Sequence, residues 1–205
     1  MRFLIVLSLT LYCSILLAQN SEPIESINKG TRFIGGSFGF SSTKTEDSFH
    51  YTSISIGPGM GFYINDNLAV GGFISYNYDK HEQPNVNSTS TFSGAGLNVF
   101  LLKNYKLVNN VFFTLQPQLL LSSAKQDYST PQPNDYSVFN FGLGISPGVM
   151  FFISKKFALQ TSIGGVSYSY NRRKPENGGN STSTNSFSLN GAFSMSNFAI
   201  RYFLW

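Results

Sequence analysis

The sequence predicts an all-β fold: eight antiparallel strands running up and down, closed into a transmembrane β-barrel. Three observations carry that expectation. Charged residues make up 12% of the 205 residues, against roughly 25% in soluble domains, so something other than water faces much of the surface. The charges divide the chain into eight long uncharged windows: 33 to 43, 48 to 65, 67 to 78, 83 to 102, 107 to 124, 136 to 154, 157 to 171 and 177 to 200. Each can hold the roughly 9 to 11 residues of a tilted spanning strand. Inside them apolar and small polar residues alternate with the two-residue period of a strand, and none reads as an amphipathic helix.

The segment before the windows is of another kind. MRFLIVLSLTLYCSILLAQ has a basic start at Arg2, an apolar stretch from Phe3 to Leu17 and a small residue at Ala18. That is the pattern of a secretory signal peptide, residues 1–18, cleaved after Ala18. A membrane anchor would need about 20 apolar residues, and the stretch is shorter. Cys13 follows the bulky Leu11 and Tyr12, which argues against a lipoprotein. Cleavage removes the sole cysteine, so the exported chain is expected to have no disulfide and no thiolate. Residues 19–29 read as a short extended lead in the periplasm, and residues 30–205 as one barrel domain.

In the second window Ile54, Ile56, Pro58, Met60, Phe62 and Ile64 share one face; Ser53, Ser55, Gly57, Gly59, Gly61 and Tyr63 share the other. The fourth sets Ala95, Leu97, Val99 and Leu101 opposite Gly94, Gly96 and Asn98, and the fifth sets Val111, Phe113, Leu115, Pro117, Leu119 and Leu121 opposite Thr114, Gln116, Gln118 and Ser122. The sixth repeats the second, with Phe139, Phe141, Leu143, Ile145, Pro147, Val149, Phe151 and Ile153 on its apolar face. The seventh slips phase: Phe157, Leu159 and Ile163 face one way, while Tyr168 and Tyr170 lie on the other parity. A bulge at Gly164 and Gly165 would restore them, because an extra residue re-aims the chain beyond it.

Composition decides which face is wet. A soluble eight-stranded carrier of lipophiles keeps its apolar face inside and dresses the outer face in charge. Here the polar face is Gly, Ser, Asn and Gln, which suits a crowded interior, while Leu, Ile, Phe and Val suit an exterior in lipid. The connections agree. NDN (65–67), KNYK (103–106) and SKK (154–156) read as tight turns, and about 41–48, 80–90, 123–135 and 172–185 read as longer loops. Short turns in the periplasm and long loops outside the cell are the pattern of such barrels. Aromatic residues are expected at both headgroup levels: Tyr51, Tyr76, Tyr78, Tyr136, Tyr168 and Tyr170 toward the loops, Tyr63, Phe100, Phe151, Phe152, Phe157 and Tyr202 toward the turns.

PGMGFYINDNLAV (58–70) and PGVMFFISKKFAL (147–159) align without gaps at an offset of 89. One strand, turn and strand has been written twice. Pro58 and Pro147 each remove a ladder hydrogen bond, so a bulge or kink is expected at both.

Signal peptide, eight strands, the recurring P-G-x-x-F-[YF]-I motif and a final FAIRYFLW resemble the small outer-membrane β-barrel domain of Gram-negative bacteria, similar to the OmpA and OmpX barrels. The resemblance covers essentially the whole mature chain. It implies location in the cell outer membrane, contact with outer-membrane lipid and lipopolysaccharide, and insertion by the barrel-assembly machinery, which reads an aromatic-ended last strand. Tyr202, Phe203 and Trp205 would be that signal. The resemblance also implies that the peptidoglycan-binding domain of longer relatives is absent here.

Three classes of activity compete. The first is a monomeric structural or surface-interaction barrel, with no wide pore because eight strands enclose a space that side chains fill. The second is an enzyme acting on lipopolysaccharide acyl chains, which needs a histidine, a nucleophile and a third orienting group. His50 and His81 are the histidines, and His50 in FHYT reads as a solvated rim residue. The third is a narrow channel lined by Asn98, Gln116, Gln118 and Asn140, although such groups are expected to hydrogen-bond one another. Arg172, Arg173 and Lys174 could pair with lipopolysaccharide phosphates, or form an ordinary solvated loop. GPGMG (57–61) lacks the Lys-Ser or Lys-Thr of a phosphate loop, and Asn87 and Asn180 begin incidental N-x-[ST] matches. No catalytic residue, cofactor or metal site is expected. A net charge of +4 and a pI near 9.1 form no basic stripe, so no nucleic acid is expected as partner.

Overall fold

The computed structural model describes residues 23–45, 49–83, 88–129, 135–176, 178–191 and 198–205. The expected signal peptide, the first residues of the lead and Asn87 lie outside the described residues. Among the described residues there are ten strands: β1 (Arg32–Thr45), β2 (Phe49–Asn65), β3 (Leu68–Gln83), β4 (Ser88–Val108), β5 (Val111–Tyr128), β6 (Tyr136–Phe152), β7 (Phe157–Ser162), β8 (Gly165–Pro175), β9 (Thr182–Asn190) and β10 (Phe198–Leu204).

Neighbours from β1 to β6 pair antiparallel in chain order, the end of β6 pairs with β7, β7 with β10, and β10 with β1. That closes a ring of eight strands, as the windows predict. The seventh and eighth windows, however, are each broken in two. The upper part of β6 pairs with β8 from Tyr136↔Pro175 to Ile145↔Val166, and β8 pairs with β9. The cause is the phase slip. Gln160 in β7 lies opposite the lumen residue Met150, whereas Ser167 in β8 lies opposite the lumen residue Gly144, so the inward parity changes between them. The break sits at Ile163 and Gly164, and Gly164 takes φ 135°, a conformation that L side chains rarely adopt. The slip expected as a bulge at Gly164 and Gly165 is thus found one residue earlier, as a break between β7 and β8 and not as a bulge within one strand.

Above the break the wall is incomplete among the described residues. Ser37–Thr45 of β1 pair with β2 alone, and β9 pairs with β8 alone.

One expected turn and the expected long loops differ from the structure. KNYK is not a turn, because β4 runs through it and the reversal comes at Asn109–Asn110, between Val108 and Val111. Lys106 sits on the inward parity and meets Glu25 of the lead at 3.0 Å. A charge paired across the rim does not end a strand. The long loops are also largely strand: residues 41–45, 80–83, 88–90, 123–128, 172–175 and 182–185 continue the ladders. Neither proline produces a bulge in its own strand. The β2–β3 register is unchanged across Pro58 and only the ladder pairs at 57 and 58 are missing. Pro147 lies where β6 changes partner from β8 to β7, so its missing donor faces the irregularity at Ile163–Gly164.

The facing holds throughout. Ile34, Phe38, Ile56, Met60, Ile74, Leu97, Val99, Leu143, Ile145 and Ile200 are exposed, and all lie on the outward parity. The lumen is not uniformly polar, however. Its turn-end third is an aromatic plug, with Phe33, Tyr63, Phe100, Phe112, Phe152 and Phe203 buried together with Leu102 and Met150. Of the expected turn-end belt, Tyr63, Phe100 and Phe152 thus point inward. Phe151, Phe157 and Tyr202 remain outside, joined by Tyr105 and Phe113, whose rings lie 6.2 Å apart. At the loop end Tyr51 and Tyr136 also turn inward, bonded to Asp79 and Gln126. Glycine makes the plug fit: a Cβ on Gly71 would lie 2.6 Å from Cζ of Phe100, so the ring lies flat on the neighbouring strand only because Gly71 has no side chain.

Candidate functional site

The lumen is stratified from the turn end upward, and each layer follows from the inward parity. The lowest layer is the lead. Ile27 and Ile24 are buried beneath the plug, and two turn asparagines hold their backbone. Asn67 and Asn110 adopt φ 58° and 63°, the left-handed conformation that asparagine tolerates and that closes a turn beside a one-residue register shift. Ile27 N–H donates to Asn67 Oδ1 at 2.9 Å, and Ile24 N–H donates to Asn110 Oδ1 at 3.0 Å. Asn67 N–H in turn donates to the Ile27 carbonyl at 2.8 Å, and Asn67 Nδ2 donates to Ser26 Oγ at 3.0 Å. The lead is therefore a strap across the turn end.

Replacing Asn67 with glycine keeps the turn conformation and removes the side-chain bonds to the strap. Stability is expected to fall by about 1 to 2 kcal/mol, with faster trypsin cleavage after Lys29. Urea unfolding and timed digestion of the folded protein measure both.

Above the plug lies Arg201 of β10, with its guanidinium carbon 4.3 Å from the Phe33 ring centre and 5.5 Å from that of Phe100. Over it runs an amide chain. Gln160 Nε2 donates to Gln116 Oε1 at 3.3 Å, while Gln116 Nε2 and Asn98 Nδ2 donate to Gln118 Oε1 at 3.1 and 3.3 Å. Asn98, Gln116 and Gln118 thus bond one another as expected, and Gln160 joins them. Asn140 stays outside the chain, and its Oδ1 has no protein partner. A cavity of about 450 Å3 opens among these groups.

The residues singled out in the sequence do not converge. Tyr202 faces outward, its ring 5.0 Å from Phe157; Phe203 is buried in the plug; Trp205 donates from Nε1 to the Lys155 carbonyl and packs on Phe152 and Phe203. Arg172 and Lys174 lie on the outer face of β8 beside Ser137 and Phe139. Arg173 has the opposite parity and lies over the Tyr136 ring at 5.0 Å.

His50 does face a carboxylate, which strand composition alone conceals: it pairs across the ladder with Glu82, 3.9 Å from its Nδ1. That is beyond hydrogen-bond reach. Lys80 donates to the same carboxylate at 2.6 Å and holds Glu82 below the ordinary carboxylate range. His81 points inward, 4.6 Å from the Tyr51 ring. No three-residue metal cluster occurs among the described residues.

Arg201 and Gln160 are the lumen residues that sequence reading passes over. The signal was available: in FAIRYFLW, Ile200, Tyr202 and Leu204 are the outward set, which leaves the arginine inside.

An antiparallel ring closed in its lower wall, with an apolar outer face and a plugged turn end, has the architecture of a transmembrane β-barrel, since closure there satisfies the ladder groups that lipid cannot. A family model described as outer membrane protein beta-barrel domain matches residues 7–193. The chain belongs to that family. Among solved structures it is similar to the translocator domain of the autotransporter NalP from Neisseria meningitidis, at 10% identity and TM-score 0.45, with 78% of this chain covering 60% of that one. It is similar to a major outer membrane protein from Thermus thermophilus at 9% identity and TM-score 0.45, covering 85% of this chain and 99% of that one. Neisserial surface protein A gives 17% identity and TM-score 0.39, covering 87% and 99%. A comparison with curated protein sequences gives no match.

Proposed function

We propose that this outer-membrane barrel is a monomer with a structural or surface-interaction role, non-enzymatic and without a wide pore. Its export depends on cleavage after Ala18, and the barrel-assembly machinery inserts it by reading Tyr202, Phe203 and Trp205. The observation that supports the absence of a pore is the plug: its aromatic side chains fill the turn end, and the strap lies beneath them. An eight-stranded ring encloses side chains or at most one small ligand, too little for an aqueous channel. The surface role is supported by Arg172 and Lys174, which stand beside the hydroxyls of Ser123 and Ser137 in an outer groove of about 250 Å3. Two cations with hydroxyl donors suit a lipopolysaccharide phosphate.

The test is migration on a detergent gel, followed by planar-bilayer recording. A band from the outer-membrane fraction that runs faster unheated than boiled, with no stepwise conductance after reconstitution, is the expected result. Recovery from the soluble periplasm without a heat shift would overturn the membrane reading, and large conductance steps would overturn the plugged lumen.

A further inference from the structure

Arg201 is nine-tenths buried, at 6% exposed, and its position is built by its neighbours. It lies across the ladder from Gly35 and Ala158, and a Cβ on Gly35 would come within 3.3 Å of its Cγ. Phe33 covers one face of the guanidinium. Two of its three nitrogens, Nε and Nη1, are buried and meet no protein acceptor, and no ion pair reaches Arg201 among the described residues. A buried cation inside a membrane protein is costly unless it is paired, and such residues mark binding sites or pathways. Among the residues lining the 450 Å3 cavity, Arg201 is the sole charge. That volume falls in the usual range for small-molecule pockets.

We propose that the lumen is a binding cup for a small organic monocarboxylate. The carboxylate accepts hydrogen bonds from the Arg201 guanidinium, the apolar body lies on Phe73 and Phe100, and the amides of Gln116, Gln118 and Gln160 border it. One guanidinium balances one negative charge, which selects a monoanion over a phosphate dianion. Entry is where the described wall opens above the β1–β10 and β7–β10 ladders, at Ser37 and Ser162, which are exposed at the cavity edge. The plug and strap close the opposite end, so the ligand is held and not conducted.

Calorimetric titration of the full folded protein in detergent micelles with sodium benzoate tests this. Benzyl alcohol serves as the neutral isostere and inorganic phosphate as the anion without an apolar body. The expected result is saturable one-to-one binding of benzoate, at least tenfold tighter than either comparison compound. Arg201→Gln, with its fold checked by heat-shifted migration, should lose benzoate affinity at least tenfold, while Lys44→Gln should not. Equal binding of benzyl alcohol, equal or tighter binding of phosphate, no saturable benzoate binding, or unchanged affinity in a folded Arg201→Gln would each overturn the proposal. Should Arg201→Gln fail to fold, the comparison of benzoate with benzyl alcohol on the unaltered protein decides.

Discussion

Replacing Phe152 with alanine is expected to cost about 3 to 5 kcal/mol, the usual range for truncating a buried phenylalanine. Its ring centre lies 4.8 Å from Phe203, 5.7 Å from Phe112 and 6.3 Å from Trp205. It therefore ties β5, β6 and β10 together inside the ring. Contacts of this kind are lost outright when the ring goes, because neighbours held on closed strands cannot collapse into the space. Urea unfolding in lipid vesicles, followed by tryptophan emission from Trp205, should show the midpoint falling with little change in slope. A loss below about 1 kcal/mol would mean that the turn-end lumen is loosely packed.

The second large effect concerns the opposite face. Val99→Arg places a cation on the lipid side of β4 and is expected to cost about 2 to 4 kcal/mol, the range for arginine near the bilayer midplane. Ser122→Arg, on the lumen side of β5, is expected to change stability by less than about 1 kcal/mol, since the upper lumen is polar and half-exposed. Val99 and Ser122 lie on opposite faces of adjacent strands. The same unfolding assay on both variants measures the difference. Equal costs would refute the assignment of faces.

What sequence revealed and concealed has a common physical basis. Alternation fixes facing because the strand period is two, so Ile54 to Ile64 and Phe139 to Phe151 declare the outer wall without any tertiary information. Phase slips are equally local, and Gly164 could be read from the parity of Leu159 and Tyr168. Strand ends were harder to see. Charge is a poor sign of a connection: Lys103, Lys106, Asp79, Lys80 and Glu82 all lie within strands, because a barrel wall continues beyond the lipid and charges can find partners there. The real turn at Asn109–Asn110 carries no charge.

The candidate site was the least legible part. The inward parity of Tyr63, Phe100 and Phe152 was plain, but an aromatic residue near a membrane interface suits either a belt or a plug, and parity had to be read together with depth. Arg201 was hidden for another reason. The aromatic residues of FAIRYFLW dominate the segment, and the inward parity of its one charge emerges only when Ile200, Tyr202 and Leu204 are set outward.

The incomplete upper wall divides the molecule into regions of unequal cooperativity. Below Gly164 every strand of the ring has a partner on both sides, and the plug, strap and ladders must come apart together. Above it, among the described residues, the β8–β9 hairpin is paired to β6 alone, and all nine residues of β9 are exposed. Such a unit opens at a small fraction of the global free energy. In native-state hydrogen exchange the β9 amides are expected to exchange orders of magnitude faster than those of Val70 and Leu101 in the lower wall. The barrel would then combine a rigid, slowly exchanging base with a hairpin that rearranges without melting it.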